Sequence, residues 1–186
     1  MSSINLENIK DALYTWVNTE TGDETIFARE NAPQPSLTAA VNSVPRFFII
    51  NIASLIQIGQ DYTDPELDVD GKIEISGNRE FTISIECKGG LALDRLEDLR
   101  SSLEKPSVQQ TLRDANIATV DHTPISDLTS LDDTVYIERG ILEIIMRTSS
   151  FITDDVGYFN NTGIDGEYKN IDGTVAINDS FEVIQT

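Results

Sequence analysis

The segment from Phe47 to Ile58 constrains the fold of this chain more than any other part of the sequence. Its letters, FFIINIASLIQI, are apolar at both odd and even positions, with interruptions mainly at Asn51, Ser54 and Gln57. Side chains of a β-strand alternate between the two faces of a sheet, so such a strand needs cover on both faces. In a chain of 186 residues, its own helices can cover one face and a neighbouring subunit can cover the other. We therefore predict a subunit-interface strand with these candidate contact residues: Phe47, Ile50, Ile52, Leu55 and Ile56.

Apolar residues at helical spacing predict three amphipathic helices. The first covers residues 4–18, and the second covers residues 91–103 and stops before Pro106. A capping box of Ser107 and Gln110 predicts the start of a short third helix. The expected inward-facing residues are Leu6, Ile9, Leu13, Trp16, Val17, Leu93, Leu96, Leu99, Leu103, Val108 and Leu112.

Period-two alternation predicts the strands. Residues 72–87 alternate around Gly77-Asn78, which predicts a hairpin with a two-residue turn, because glycine tolerates positive φ at the first turn position. A long strand at residues 134–147 changes phase midway, which predicts a β-bulge near Gly140. Shorter strands are predicted at residues 25–29, 118–121 and 174–184, and near Tyr158.

The order of helix, strands, two helices and strands predicts an α+β fold. We expect a mostly antiparallel sheet with two or three helices packed on one face. Residues 1–152 are predicted to form one domain, and residues 153–186 an acidic arm or hairpin rich in Gly, Asn and Asp.

The formal net charge of −19 disfavours binding to nucleic acid or to an anionic membrane, because phosphate groups would be repelled. Acidic residues crowd one short stretch, and an ordinary role for them is a solvated, solubility-promoting surface. If several copies of the chain surround a channel, acids facing that channel are a second interpretation. The two candidate groups of channel-lining acids are Asp61, Asp64, Glu66, Asp68 and Asp70, and the acids of the C-terminal segment from Asp154 to Glu182.

The single cysteine, Cys87, excludes an intramolecular disulfide, and nothing in the cysteine content argues for an oxidising compartment, so the cytosol is the expected location. We find no signal-peptide pattern and no apolar run of about 18 residues, so no membrane segment is expected. Cys87 continues the apolar face of its strand, which predicts a buried hydrophobe rather than a nucleophile.

Residues 66–77 resemble a calcium-binding EF-hand loop in part. Glu66, Asp68 and Asp70 alternate before Gly71, but the twelfth position, which normally supplies a bidentate acid, is Gly77. We therefore predict no metal and no cofactor. A small acidic module binding calcium or a carbohydrate through residues 61–71 remains an alternative from another functional class.

No catalytic residue is predicted. His122 is the only histidine, and its neighbours Asp121 and Thr123 do not make a triad, because a triad requires proximity in space rather than in sequence. Neither a phosphate-cradling glycine loop nor a dinucleotide fingerprint is present. An enzyme of unfamiliar type remains a weaker alternative.

Several stretches, taken in order across residues 4–160, resemble the phage neck terminator family, which is related in architecture to tail terminator proteins. Residues 36–46 and the tail after Asn160 are longer than the family pattern. The similar stretches are the Gly-x-Arg step and alternating strand of residues 77–85, the paired helices from residue 91 through Pro106, the loop Asp127-Leu128-Thr129 leading to Tyr136 and Arg139, and the acidic Gly-aromatic step at residues 154–158.

The resemblance implies a virion protein of the head-tail junction. Members of this family form a ring, typically a hexamer, that caps the tail tube and receives the head connector or adaptor proteins. Tail tube and sheath proteins are the expected neighbours, and DNA passes through the ring without specific binding. A head-tail adaptor or stopper is the alternative within the phage neck.

Overall fold

The computed structural model describes residues 4–28, 46–66, 68, 71–132, 135–155, 161–169 and 175–184. These residues form three helices and ten strands, which confirms the α+β prediction. The helices are α1 (Leu6–Thr21), α2 (Ala92–Ser102) and α3 (Pro106–Asp114). The strands are β1 (Glu24–Phe27), β2 (Phe47–Thr63), β3 (Lys72–Lys88), β4 (Ile117–His122), β5 (Ser126–Asp127), β6 (Ser130–Asp132), β7 (Val135–Ile137), β8 (Arg139–Asp155), β9 (Asn161–Lys169) and β10 (Val175–Ile184).

The chain divides into two compact units. The first comprises Met1–Tyr62 and Ile75–Ile152, and the second comprises Thr63–Glu74 and Thr153–Thr186. Within the second unit, β9 and β10 pair as an antiparallel two-stranded sheet.

The main sheet has the strand order β1-β2-β3-β8-β4, and β5 also pairs with β8. β1 runs parallel to β2, whereas β4 and β5 run antiparallel to β8. Ion pairs join Arg147 to Glu80 and Arg139 to Glu86, so residue numbers rise along β3 as they fall along β8. This order means that β3 and β8 are antiparallel, and the predicted mostly antiparallel sheet is confirmed.

The hydrophobic core lies between one face of this sheet and the three helices. β2 and β3 contribute Phe48, Ile50 and Phe81, and α1 contributes Trp16. The Trp16 indole Nε1 donates a buried hydrogen bond of 2.9 Å to Ser102 Oγ on α2. This bond satisfies a polar group that burial would otherwise penalise, and it joins the first helix to the second.

The helix predictions hold for most inward residues and are wrong at the first turns. Leu6 and Leu93 are each 39% exposed, whereas the other nine expected inward residues are buried. The predicted capping box is also wrong, because α3 begins at Pro106 without a side-chain cap, and the Gln110 amide bonds Asp114 instead. Proline at the first helical position presets the helical φ and needs no amide partner.

The predicted hairpin at Gly77-Asn78 is wrong, because β3 runs through both residues as one strand of 17 residues. The turn lies elsewhere, at the acidic segment between β2 and β3. The apolar residues on either side of Gly77 are all odd-numbered. An uninterrupted period of two is the pattern of one continuous strand, and it explains the structure better than the turn residues did.

The predicted strand at residues 134–147 with a bulge near Gly140 is also wrong. Glu138 separates β7 from β8, and β7 pairs with β6 in a separate two-stranded sheet. The change of phase therefore marks a boundary between two strands. Gly140 serves close packing, since a Cβ atom there would lie 2.7 Å from Leu96 Cδ1.

The shorter strand predictions are confirmed where the structure describes the residues. β1, β4 and β10 confirm the strands predicted near residues 25–29, 118–121 and 174–184. Tyr158 lies outside the described residues.

Candidate functional site

The candidate interface strand β2 has two halves with different surroundings. Phe47 and Ile50 are fully buried within the chain itself. Ile52 is partly buried against the core, whereas Leu55 is 45% exposed and Ile56 is 53% exposed. Phe47 and Ile50 are therefore core residues and cannot be reached by a neighbour, so the candidate interface narrows to the segment from Ile52 onward.

The neighbouring strand explains why burial changes along β2. The register of β1 pairs Glu24 with Phe47 and ends with Phe27 opposite Ile50. The Ala28 amide then donates to the Ile50 carbonyl at 2.8 Å. Among the residues that the structure describes, no strand pairs with this edge of β2 beyond that point.

The far end of β2 is held by an ion pair that the sequence analysis did not predict. Arg79 on β3 donates two hydrogen bonds to the Asp61 carboxylate, from Nη1 to Oδ1 at 2.6 Å and from Nη2 to Oδ2 at 2.7 Å. The hydrogen bonds and positive charge of Arg79 hold the pKa of Asp61 below its usual value of 3.8. This bidentate geometry is the strongest form of an arginine–carboxylate contact. Asp61, first considered as a channel acid, is thus neutralised by a partner within the chain.

Gly77 makes room for this ion pair. A Cβ atom built on Gly77 would lie 1.8 Å from Asp61 Oδ1 and 2.6 Å from Arg79 Nη1. The glycine is needed for space rather than for a positive φ, because it lies within β3. The Gly-x-Arg step therefore has a physical role: the glycine lets the arginine two residues later reach across to Asp61.

Gly59 adjusts the phase of β2 so that Asp61 can reach Arg79. Phe48 and Ile50 face the core at even positions, whereas Asp61 contacts the odd-numbered face of β3 that also carries Phe81. Gly59 has a φ of +71°, the conformation of glycine in a G1 β-bulge. This left-handed residue lies between the two segments, at the place where the one-residue change of phase occurs.

The remaining candidate acids lie in the connection between β2 and β3. Asp64 Oδ1 accepts the Glu66 amide at 3.0 Å, and Asp68 Oδ1 accepts the Lys72 amide at 2.9 Å. These are local turn contacts of the kind that aspartate commonly makes. Glu66 is exposed, and Asp70 lies outside the described residues.

The same segment does not have the loop geometry of an EF-hand. Residues 72–77 belong to β3, so the twelfth position, Gly77, lies within a strand. Among the described residues, no three His, Cys, Asp or Glu side chains are grouped as metal ligands would be. The calcium-binding alternative gains no supporting observation.

The sheet face opposite the helices carries cross-strand ion pairs that the sequence analysis missed. Arg147 Nη2 lies 3.0 Å from Glu80 Oε2, and Arg139 pairs with Glu86. Lys88 pairs with Glu86 at 3.4 Å and lies 5.8 Å above the Phe47 ring. Opposite charges at alternating positions of β3 and β8 were the available signal, but which strands pair could not be read from the sequence.

Cys87 and His122, the two residues considered as a nucleophile or a base, have different surroundings. Cys87 is fully buried, as predicted, and burial together with the negative charge of Asp23 raises the pKa of its thiol to about 12. A thiol with so high a pKa is a poor nucleophile at neutral pH. His122 is exposed on β4, and its backbone amide bonds the Asp121 carboxylate at 2.8 Å.

The loop Asp127-Leu128-Thr129 anchors the start of β8. The Thr129 amide donates to Asp127 Oδ1 at 2.8 Å, and the hydroxyl and amide of Thr129 lower the pKa of Asp127. The Leu128 amide donates to the Arg139 carbonyl at 2.7 Å. Glu138, beside this loop, accepts the Leu91 amide at 2.5 Å and the Ala92 amide at 3.2 Å. The loop and Glu138 therefore join β8 to the start of α2.

A groove of about 390 Å³ lies beside β4, at the other end of the main sheet. All six residues of β4 line it, together with α3 residues that include Leu112 and Arg113. The register of β4 against β8 shifts between Thr119 and Asp121, so residues of both parities line the groove along this strand.

No helix among the described residues is long and apolar enough to cross a membrane. A comparison with curated proteins found no match to the chain. A family model described as phage neck terminator protein matches residues 7–172. Because this match covers most of the 186 residues, the chain belongs to the phage neck terminator family, whose members are structural proteins of the virion neck.

Proposed function

We propose that the chain forms a ring, typically a hexamer, that caps the completed tail tube and receives the head connector or adaptor proteins. DNA passes through the ring without specific binding, and tail tube and sheath proteins are the neighbours on the other side. Assembly takes place in the host cytoplasm. The observation that carries this proposal is the exposed apolar half of β2 in a chain that belongs to the neck terminator family.

Exposure of Leu55 and Ile56 supports self-assembly. The two residues are adjacent in one strand, so they lie on opposite faces of the sheet, and both are about half exposed. Scattered apolar residues are common on protein surfaces, but a continuous apolar segment exposed on both faces marks an interaction site. A neighbouring subunit that covers this segment would remove its apolar area from water.

The acidic surface suits a channel through which DNA moves. We propose that Asp64, Glu66 and Asp68, with Asp70, line the channel, whereas Asp61 has the structural role described above. A negative wall repels phosphate, while Lys and Arg side chains would hold it through counterion release. We further propose that residues 1–152 act as the ring-forming domain and residues 153–186 as a peripheral arm.

A structural map of the neck of the phage particle tests both whether the chain forms a ring and where in the neck that ring lies. We expect several copies of this chain in a closed ring between tail tube and head connector. A single copy would overturn the ring, and a ring placed elsewhere in the neck would favour the adaptor or stopper alternative.

Charge reversal tests the channel. Replacing Asp64, Glu66 and Asp68 by lysine should leave ring formation intact and slow DNA passage, with the defect easing as salt rises. Lysine at Asp94, Glu97 and Asp98, three acids that are exposed on α2, is the matched control. If the two sets of lysine substitutions slow DNA passage equally, the acids contribute only to solubility and the channel proposal is wrong.

A further inference from the structure

We propose that β2 of one subunit pairs edge to edge with β4 of the next, so that the main sheet continues from subunit to subunit around the ring. This inference rests on the proposed ring and adds the surfaces that make it. The two surfaces differ, which gives the heterologous, head-to-tail contact that closed rings with more than two subunits require.

The first surface is the edge of β2 beyond Ile50. The Ile50 carbonyl points toward β1, and backbone groups alternate in direction along a strand. The amides and carbonyls of Ile52, Ser54 and Ile56 therefore point toward the same edge, where the described residues provide no partner strand. Such a row of unpaired groups is a template for an added strand.

This edge lacks the features by which proteins normally prevent edge pairing. Natural edges carry lysine, proline, inward-pointing charges or short strands. Residues 51–58 contain no proline and no charged residue, and apolar side chains occur at both parities. A long, neutral and apolar edge of this kind is expected to have a partner in the assembled protein.

The second surface is the outer edge of β4. Among the described residues this strand ends the main sheet and pairs only with β8, with a register shift between Thr119 and Asp121. The groove between its free edge and α3 is lined by every residue of β4, as an incoming strand would require. Val120, at 44% exposure, provides an apolar contact there.

Charge argues that the partner is a second copy of this chain. Two copies that each carry −19 repel one another, so they can approach most easily where acidic residues are absent. Residues 47–60 contain no charged residue, and residues 115–126 contain only Asp121, although charged residues make up 24% of the chain. The two free edges thus lie in segments of low charge.

Cysteine cross-linking in the full-length chain tests this pairing directly. Each variant combines one substitution on β2, chosen from Ser54→Cys, Leu55→Cys and Ile56→Cys, with one on β4, chosen from Ala118→Cys, Thr119→Cys and Val120→Cys. Directly opposed strand residues have Cα atoms about 4.5–5.5 Å apart, which a disulfide can span. The native Cys87 is fully buried and contributes little background.

Mild oxidation should produce a ladder of covalent oligomers from at least one double variant. Single variants should give none, since a head-to-tail contact never places two copies of one edge together. Ser101→Cys on α2 combined with Val120→Cys is the control and should stay unlinked.

Substitution of Ser54 tests the edge without cysteine. Ser54→Pro removes a donor that points away from β3, and Ser54→Lys places a charge at the edge. We expect each to weaken subunit association by about tenfold or more, the loss that one hydrogen bond of about 1.4 kcal/mol produces. Ser101→Lys, an equal charge change on α2, should leave association unchanged.

Native mass spectrometry of the free chain and a neck map of the particle separate the outcomes. If rings form but no double-cysteine variant cross-links, the edge pairing is wrong and the ring proposal stands. The same conclusion follows if rings tolerate Ser54→Lys as well as Ser101→Lys. A wild-type chain that is monomeric both when purified and in the particle would overturn the ring and this inference together.

Discussion

The two halves of β2 have similar apolar composition and different surroundings. Phe47 to Ile50 are covered by the chain itself, whereas Leu55 and Ile56 stand about half exposed. In the first half, Phe48 and Ile50 pack in the hydrophobic core beside the helices, whereas Phe47 is buried on the opposite face of the sheet next to Lys88. The second half is held by polar contacts at its far end, namely the Asp61–Arg79 ion pair and the space that Gly77 provides. The comparison shows that the hydrophobicity of a segment predicts that its side chains must be buried. It does not identify which part of the chain, or which neighbouring subunit, buries them.

The largest effect should come from a charge in the buried half. Ile50→Asp places an unpaired carboxylate at a fully buried position, so we expect a loss of at least about 4 kcal/mol in the free energy of unfolding. Chemical denaturation of the purified chain measures it. A loss under about 1 kcal/mol would mean that Ile50 is not part of a packed core.

The second effect should come from crowding the ion pair. Gly77→Ala introduces a Cβ atom where Asp61 Oδ1 lies 1.8 Å away, so the carboxylate or the strand must move. We expect a loss of about 1–3 kcal/mol, typical of overpacking, in thermal or chemical unfolding. Gly90→Ala is the matched control, because a Cβ atom there meets nothing within 4 Å. Equal losses in the two variants would contradict the packing role of Gly77.

A smaller effect should appear in the pH dependence of stability. The pKa of Asp61 is lower in the folded chain than its usual 3.8, so its stabilising contribution is present above that value. That contribution is lost as pH falls through the lowered pKa. Asp61→Asn should therefore be less stable than the wild type at pH 6, and the difference should shrink below about pH 4. A difference that stays constant from pH 6 to pH 2 would contradict the role of this carboxylate.

The smallest effect on monomer stability should come from the exposed half of β2. Ile56→Asp, in contrast to Ile50→Asp, should change the free energy of unfolding by no more than about 0.5 kcal/mol, as surface substitutions usually do. Its effect should appear in assembly, measured by native mass spectrometry. A large loss of monomer stability would mean that this half of β2 also contributes to the core.

The sequence by itself determined the class of the fold and most of its elements. Helical spacing identified the three helices and most of their buried residues, because period 3.6 depends only on local backbone geometry, but it missed Ala12, Ala92 and Ser102. The strand patterns identified β1, β2, β4, β10 and the alternating residues of β3 and β8, but not β5, β6 or β9. Strand alternation identified Cys87 as a buried residue, and the order of several weak motifs identified the family.

Only the tertiary structure decided how these elements meet. Gly77-Asn78 is a common turn sequence, yet β3 continues through both residues, and the Asp61–Arg79 ion pair occupies the space beside the glycine. Likewise, the exposure of Leu55 and Ile56 depends on where β1 ends. This strand ends at Phe27, which precedes Ile56 by 29 residues in the chain. Local periodicity specifies which residues need burial, but contacts between distant segments decide which of them the chain buries itself.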